Sequence, residues 1–180
     1  MANLANATVG GVGDSHLRNA LPDLYRELGY PAIFHRAAGG RKIQDLFPIS
    51  NELVFGEDTP TLDLAICWLG GNDLDSQHDL EPGYKLLEFV AECENRGIRT
   101  FVVGQLEHRF YPWNTTTEIF KKRAKKLNKF LWKRLGRQFI RLPGGLDSRN
   151  AYNNSGVHLK PYFYRQVAAH VAREILARLA

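Results

Sequence analysis

The chain has 180 residues, 44% of them hydrophobic and 11% aromatic, which is enough to bury a good core and too apolar for a disordered or fibrous protein. The stretch from Met1 to Asn6 lacks the basic and apolar regions of a signal peptide. No apolar run nears the roughly 20 residues that a bilayer span needs, so one soluble, cytoplasmic domain over residues 1–180 is expected. The formal charge of +5 has one source: residues 121–137 hold nine of the 24 Lys and Arg and no acid, leaving 15 basic against 19 acidic side chains elsewhere.

The apolar run Ala7-Thr8-Val9-Gly10-Gly11-Val12 reads as a first strand. It ends at Gly13-Asp14-Ser15-His16, and a helical pattern begins at Leu17 and is closed by Gly29-Tyr30-Pro31. Further strand-like runs fall near 31–36, 61–69, 99–104 and 138–142, separated by segments of helical period, one of them at 83–97 and ended by Gly97. Cys67 falls in a strand and Cys93 in a helix, so both read as small buried apolar side chains and not as a disulfide. No metal-ligand spacing is present. Phe120, Ala124, Leu127, Leu131 and Leu135 form a stripe through the basic segment, which predicts an amphipathic helix packed on the sheet. Phe163, Val167, Val171, Ile175 and Leu179 repeat that pattern in a last helix. Strands alternating with helices predict a doubly wound parallel sheet covered on both faces, a three-layer α/β/α protein.

Ligand sites in such sheets lie at the carboxyl ends of the strands. Ser15 follows the first strand, Gly39-Gly40 the second and Asn72 the third, while His158 precedes the last helix, so the four converge on one edge. A serine at a strand-to-helix turn presents its hydroxyl at the sheet edge and its N–H at a helix N-terminus, where negative charge is stabilised. Each position also has a plainer reading. Gly-Asp-Ser is a common turn, Gly39-Gly40 permits a tight bend, Asn72 and Asp73 suit a helix cap, and a histidine at a helix start is often only a satisfied side chain.

In order and context, Gly13-Asp14-Ser15, Gly39-Gly40, Gly70-Gly71-Asn72-Asp73 and Gly156-Val157-His158-Leu159 resemble the four blocks of the SGNH (GDSL-type) hydrolases, over essentially the whole chain. The resemblance implies a flavodoxin-like, five-stranded parallel sheet and hydrolysis of small acyl (acetyl-type) esters with no cofactor and no metal. It casts Ser15 as nucleophile and His158 as general base. The N–H groups of Ser15 and Gly40 and the side-chain amide of Asn72 become the oxyanion donors. One position departs from the family: the aspartate usually found three residues before the base is Ser155 here. A hydroxyl can orient an imidazole but cannot supply the charge that stabilises an imidazolium. Three arrangements follow: a Ser15–His158 dyad oriented by Ser155 or a backbone carbonyl, recruitment of Asp147 from the preceding loop, or a weak or inactive site kept for binding. His16 stands where the family more often has an apolar residue and reads as a neighbour of the pocket, not a second base. His35, His78, His108 and His170 carry no usable pattern, and the acceptor sequences at Asn114 and Asn153 matter only in a secreted protein.

The basic segment is either a solvated helix face or a surface for phosphate on nucleic acid or anionic lipid, through Lys121, Lys122, Arg123, Lys125, Lys126, Lys129, Lys133 and Arg134. Together with the Gly13–His16 start, Arg18 and the Gly156–Leu159 block, it is also similar to the esterase domains in first-open-reading-frame proteins of some non-LTR retrotransposons and related animal genes. That narrower likeness implies a domain of a longer, multimeric protein.

Overall fold

A computed structural model describes residues 4–76 and 80–180; His78 lies outside them. The first strand, β1 (Thr8–Gly13), runs into α1 (Ser15–Glu27), and β2 (Ala32–Ala37) follows. A 3-10 turn at Ile43–Asp45 leads into α2 (Leu46–Ser50) and a π turn at Asn51–Phe55. Then come β3 (Leu64–Trp68), α3 (Gly71–Leu74), α4 (Glu81–Asn95), β4 (Arg99–Val103), α5 (Thr117–Leu135), β5 (Phe139–Ile140) and α6 (Pro161–Leu179). The strands pair in the order β2-β1-β3-β4-β5, all parallel. This is the flavodoxin-like order, whose switch point lies between β1 and β3.

Helices α1 and α6 bury Leu17, Leu24, Val167 and Val171 against one face of the sheet. On the opposite face α2, α4 and α5 bury Leu46, Leu86, Phe89, Phe120 and Leu127. The fold is therefore the expected three-layer α/β/α sandwich. β3 is buried on both faces along its whole length, which is why Leu64–Trp68 is apolar without alternation. The basic helix begins earlier than the charge run suggests: Thr116 caps it, its hydroxyl accepting from the Ile119 N–H at 3.2 Å. The apolar stripe faces inward as expected, with Leu135 only half-buried at its end. Both cysteines are free and buried. Among the described residues no helix is long and apolar enough to cross a membrane.

Candidate functional site

The turn after β1 is built for close approach. A Cβ on Gly13 would stand 2.5 Å from the Trp68 carbonyl oxygen and 2.8 Å from Leu17 Cβ, so only glycine lets β1 end against both. Asp14 then caps α1, its carboxylate accepting from the His16 N–H at 2.8 Å. Ser15 is thereby the first residue of the helix, with its N–H among the donors that have no partner inside the helix. Its hydroxyl is 2.9 Å from His158 Nε2.

His158 is presented by a loop that turns back on itself. The Asn153 N–H donates to the His158 carbonyl at 2.9 Å, and the Lys160 N–H to the Ala151 carbonyl at 2.9 Å. Arg149 fastens the bend by donating to the carbonyls of Tyr152 and Asn153. Gly156 has φ +68°, and a Cβ there would meet Tyr111 at 2.5 Å. Ser155 belongs to this scaffold. Its hydroxyl accepts from the backbone N–H groups of Val157, at 3.1 Å, and His158, at 3.3 Å, and donates to Asn153 Oδ1. It orients the chain, not the imidazole. Asp147 acts electrostatically on His108 and Tyr152, not on His158. Among the described residues no carboxylate lies within hydrogen-bond reach of His158, so neither expected partner supplies one. Burial, then Arg109 and Arg18, hold its basicity below the ordinary 6.5. The ring is therefore neutral near pH 7, the state a general base needs.

Asn72 sits in α3, beyond β3, and both ends of its amide are held. Oδ1 accepts from Arg109 Nη2 at 3.2 Å, and Nδ2 donates to the Arg41 carbonyl at 2.9 Å. This fixes which way the amide points and leaves its second N–H for a ligand. The same bond anchors the loop after β2. Within that loop Gly40 has φ +75°, a left-handed conformation that favours glycine, with nothing within 4 Å of where a Cβ would stand. Asp73 caps, but not the helix that follows it. Its Oδ2 accepts from the Ile43 N–H at 2.9 Å, tying the 43–45 turn to the end of β3.

Two groups here are invisible in the sequence pattern. Arg109 is only 5% exposed, pairs with Asp75 Oδ2 at 3.3 Å and lies 4.9 Å over the Phe120 ring. It joins Asn72 to the 109–116 loop, because Asp75 also accepts from the Trp113 and Asn114 N–H groups. A single arginine between aromatic residues is the one available signal, but nothing local marks it as buried. The second is Tyr164, 2.8 Å from His16 Nδ1. The Tyr164 oxygen accepts from Asn19 Nδ2 at 3.5 Å, so its own proton is left for His16. His16 also stacks on Trp68, and burial pushes its pKa down to about 3, so it is a neutral wall of the site and not a base. Burial raises Asp14 to about 7.

The eight basic candidates on α5 divide. Lys122, Lys125, Lys126, Lys129, Lys133 and Arg134 are exposed, while Lys121 is half-buried. Arg123 is also half-buried, and its Nη1 donates to the Leu74 carbonyl at 2.8 Å, which places it in the packing of α5 against α3. No cluster of metal-ligating side chains is found among the described residues.

No protein-family profile matches the chain, and no curated protein does. Solved structures match along almost all of it. A GDSL-like lipase from Bacteroides thetaiotaomicron is 16% identical with TM-score 0.74, covering 97% of this chain and 89% of that one. A member of the lipolytic G-D-S-L family from Veillonella parvula is 13% identical with TM-score 0.71, covering 95% and 98%. The lipase/acylhydrolase from Enterococcus faecalis is 16% identical with TM-score 0.63, covering 96% and 96%. At these identities the likeness is one of architecture: the chain has the three-layer α/β/α fold of the GDSL lipases and acylhydrolases.

Proposed function

We propose that the chain is a serine ester hydrolase acting on small acyl esters through a Ser15–His158 dyad. The observation that carries this reading is the 2.9 Å separation of Ser15 Oγ and His158 Nε2 at the N-terminus of α1. Neutral His158 takes the hydroxyl proton as Ser15 Oγ bonds to the acyl carbon. The carbonyl oxygen becomes an oxyanion held by the N–H groups of Ser15 and Gly40 and the free N–H of Asn72. Each preorganised donor of this kind lowers the barrier by about 3 to 4 kcal/mol. His158 returns the proton to the leaving alcohol, and a water deprotonated by the same ring then hydrolyses the acyl-serine. The test is hydrolysis of 4-nitrophenyl acetate, expected to vanish in Ser15→Ala. A wild-type rate equal to that of Ser15→Ala would sink the reading.

A second reading has its own support. The exposed lysines of α5 border a cleft of about 690 Å³ lined by Lys125, Lys129, Trp132 and Arg141. Arg141 lies 5.6 Å over the ring of Trp132, itself 51% exposed. Cations beside an exposed aromatic ring suit a polyanion, with or without catalysis at Ser15. The narrower likeness to retrotransposon esterase domains rests on the sequence blocks and this helix, and the solved structures do not bear on it.

A further inference from the structure

The charge around the dyad is one-sided, and one of its cations is unpaired. Arg18 stands one turn beyond Ser15 on α1, with its backbone N–H on the Asp14 carbonyl at 3.1 Å. Its exposed side chain crosses to the loop after β2, where a Cβ on Gly39 would be 3.8 Å from Nη1. Some surface arginines of the chain have acids, Arg26 with Asp23, Arg36 with Glu52, Arg96 with Glu92 and Arg178 with Glu174, and others, such as Arg99, Arg137 and Arg165, have none among the described residues. Arg18 has none among the described residues. Arg18 also lines a shallow groove of about 290 Å³ between α1 and the edge strand β2, with Leu21, Pro22, Tyr25, Ile33 and His35. A fork of free donors, placed between the oxyanion loop and an apolar channel, matches a carboxylate or phosphate in geometry.

We propose that Arg18 is a substrate-binding residue, and that the esters this site prefers carry an anionic group close to the scissile bond, with the uncharged remainder lying along the α1–β2 groove. This rests on the ester-hydrolase reading and names its substrate class. The chemistry is a carboxylate or phosphate, reached from the acyl side or from the alcohol side. A bound anion also alters the base. Arg109 and Arg18 both oppose a positive charge on His158, with no carboxylate behind the ring among the described residues. A substrate anion on Arg18 cancels one of them and eases formation of the imidazolium.

The experiment compares wild type with Arg18→Gln and Arg18→Lys on two pairs of esters. Mono-4-nitrophenyl succinate against 4-nitrophenyl butyrate tests the acyl side; 4-acetoxybenzoate against phenyl acetate tests the alcohol side. In one pair Arg18→Gln is expected to lower kcat/KM for the anionic ester by at least about tenfold while changing the neutral ester less than about threefold, with Arg18→Lys between. The pair affected identifies the side. In wild type the acid limb of kcat, which reports the base in the complex, lies at higher pH for the anionic ester than for its neutral partner, and Arg18→Gln removes that difference. Equal losses on both members, as a merely structural role would give, or no loss on either, overturn the proposal. Absence of Ser15-dependent turnover on every ester would instead end the hydrolase reading. Arg18 is then decided by titrating Ser15→Ala with mono-4-nitrophenyl succinate, followed through the His158 ring signals in NMR. Binding weakened about tenfold by adding Arg18→Gln sustains the anion site, and unchanged binding rejects it.

Discussion

His158 must accept a proton with two arginines opposing it and, among the described residues, no acid beside it. A carboxylate at 155 would change that, because Ser155 already lies beside the His158 backbone and an aspartate is longer while keeping the same acceptor chemistry for the Val157 and His158 N–H groups. Ser155→Asp is expected to raise kcat/KM on 4-nitrophenyl acetate by at least about tenfold, set against the roughly 10⁴-fold that a serine protease loses when its aspartate role is removed. The sign of the pH effect is separate from the rate. The acid limb of kcat/KM reports the free base; it lies below 6.5 in wild type and moves up when an anion stabilises the imidazolium. A variant with the same rate and the same limb would mean that another group already serves the ring. Ser15, Gly40, Asn72 and His158 are legible in the sequence because each ends or precedes an apolar run, and the doubly wound rule sends all such ends to one edge. Arg109 and Tyr164 are not, because their roles arise from contacts 37 and 148 residues away in the chain. No local periodicity encodes such a distance.

At the scale of elements, α5 serves two solvents. Its stripe of Phe120, Ala124, Leu127 and Leu131 is buried in the sheet, and its other side carries the exposed lysines. Arg123 belongs to the inner side by its bond to Leu74, so the charge the outer side presents is smaller than the run of nine suggests. If the outer side holds a polyanion, Lys125→Glu with Lys129→Glu should weaken binding of single-stranded RNA at about 50 mM salt by at least about tenfold. It should also flatten the salt dependence by about 1.4 in log–log slope, two phosphate contacts at roughly 0.7 each. Vesicles of phosphatidylserine form the second arm, run beside the RNA with the same double variant. Unchanged RNA and vesicle binding in the double variant would leave α5 as a solvated face. The hairpin-like loop at 151–160 is the opposite case: the sequence marks its Gly156–Leu159 block but not the turn that presents it. Its register depends on the left-handed Gly156 and on Arg149, and the sequence marks Arg149 no more strongly than any other loop residue.

For the whole molecule, the order of elements is readable because each strand is a single apolar run and each covering helix has one apolar stripe. The segment at 43–55 is not, since its 3-10, α and π turns are each too short to show a period. What holds that segment to the sheet is a buried carboxylate, Asp73, and a second one, Asp14, caps the nucleophile helix nearby; burial raises their pKa values to about 6 and about 7. These acids make global stability depend on pH with a definite sign. An unfolded chain ionises Asp14 near 3.8 while the folded one keeps its proton to about 7, so across that window the folded state binds more protons. Stability therefore falls as pH rises through it. The full effect for Asp14 is on the order of 4 kcal/mol between about pH 4 and pH 8, because each pH unit between the unfolded and folded pKa values costs about 1.4 kcal/mol. Asp14→Asn keeps an oxygen for the His16 N–H and places an uncharged NH2 where Asp14 Oδ2 has no partner. The variant should lose less stability than wild type between about pH 5 and pH 8, by a few kcal/mol in urea unfolding. The Asp73 contribution runs in the same direction and is present in both proteins, so the difference between them reports chiefly Asp14, with the smaller part that the Asp14–Asp73 repulsion adds. A gap between the two that stays constant with pH would show that Asp14 is not the group holding the proton.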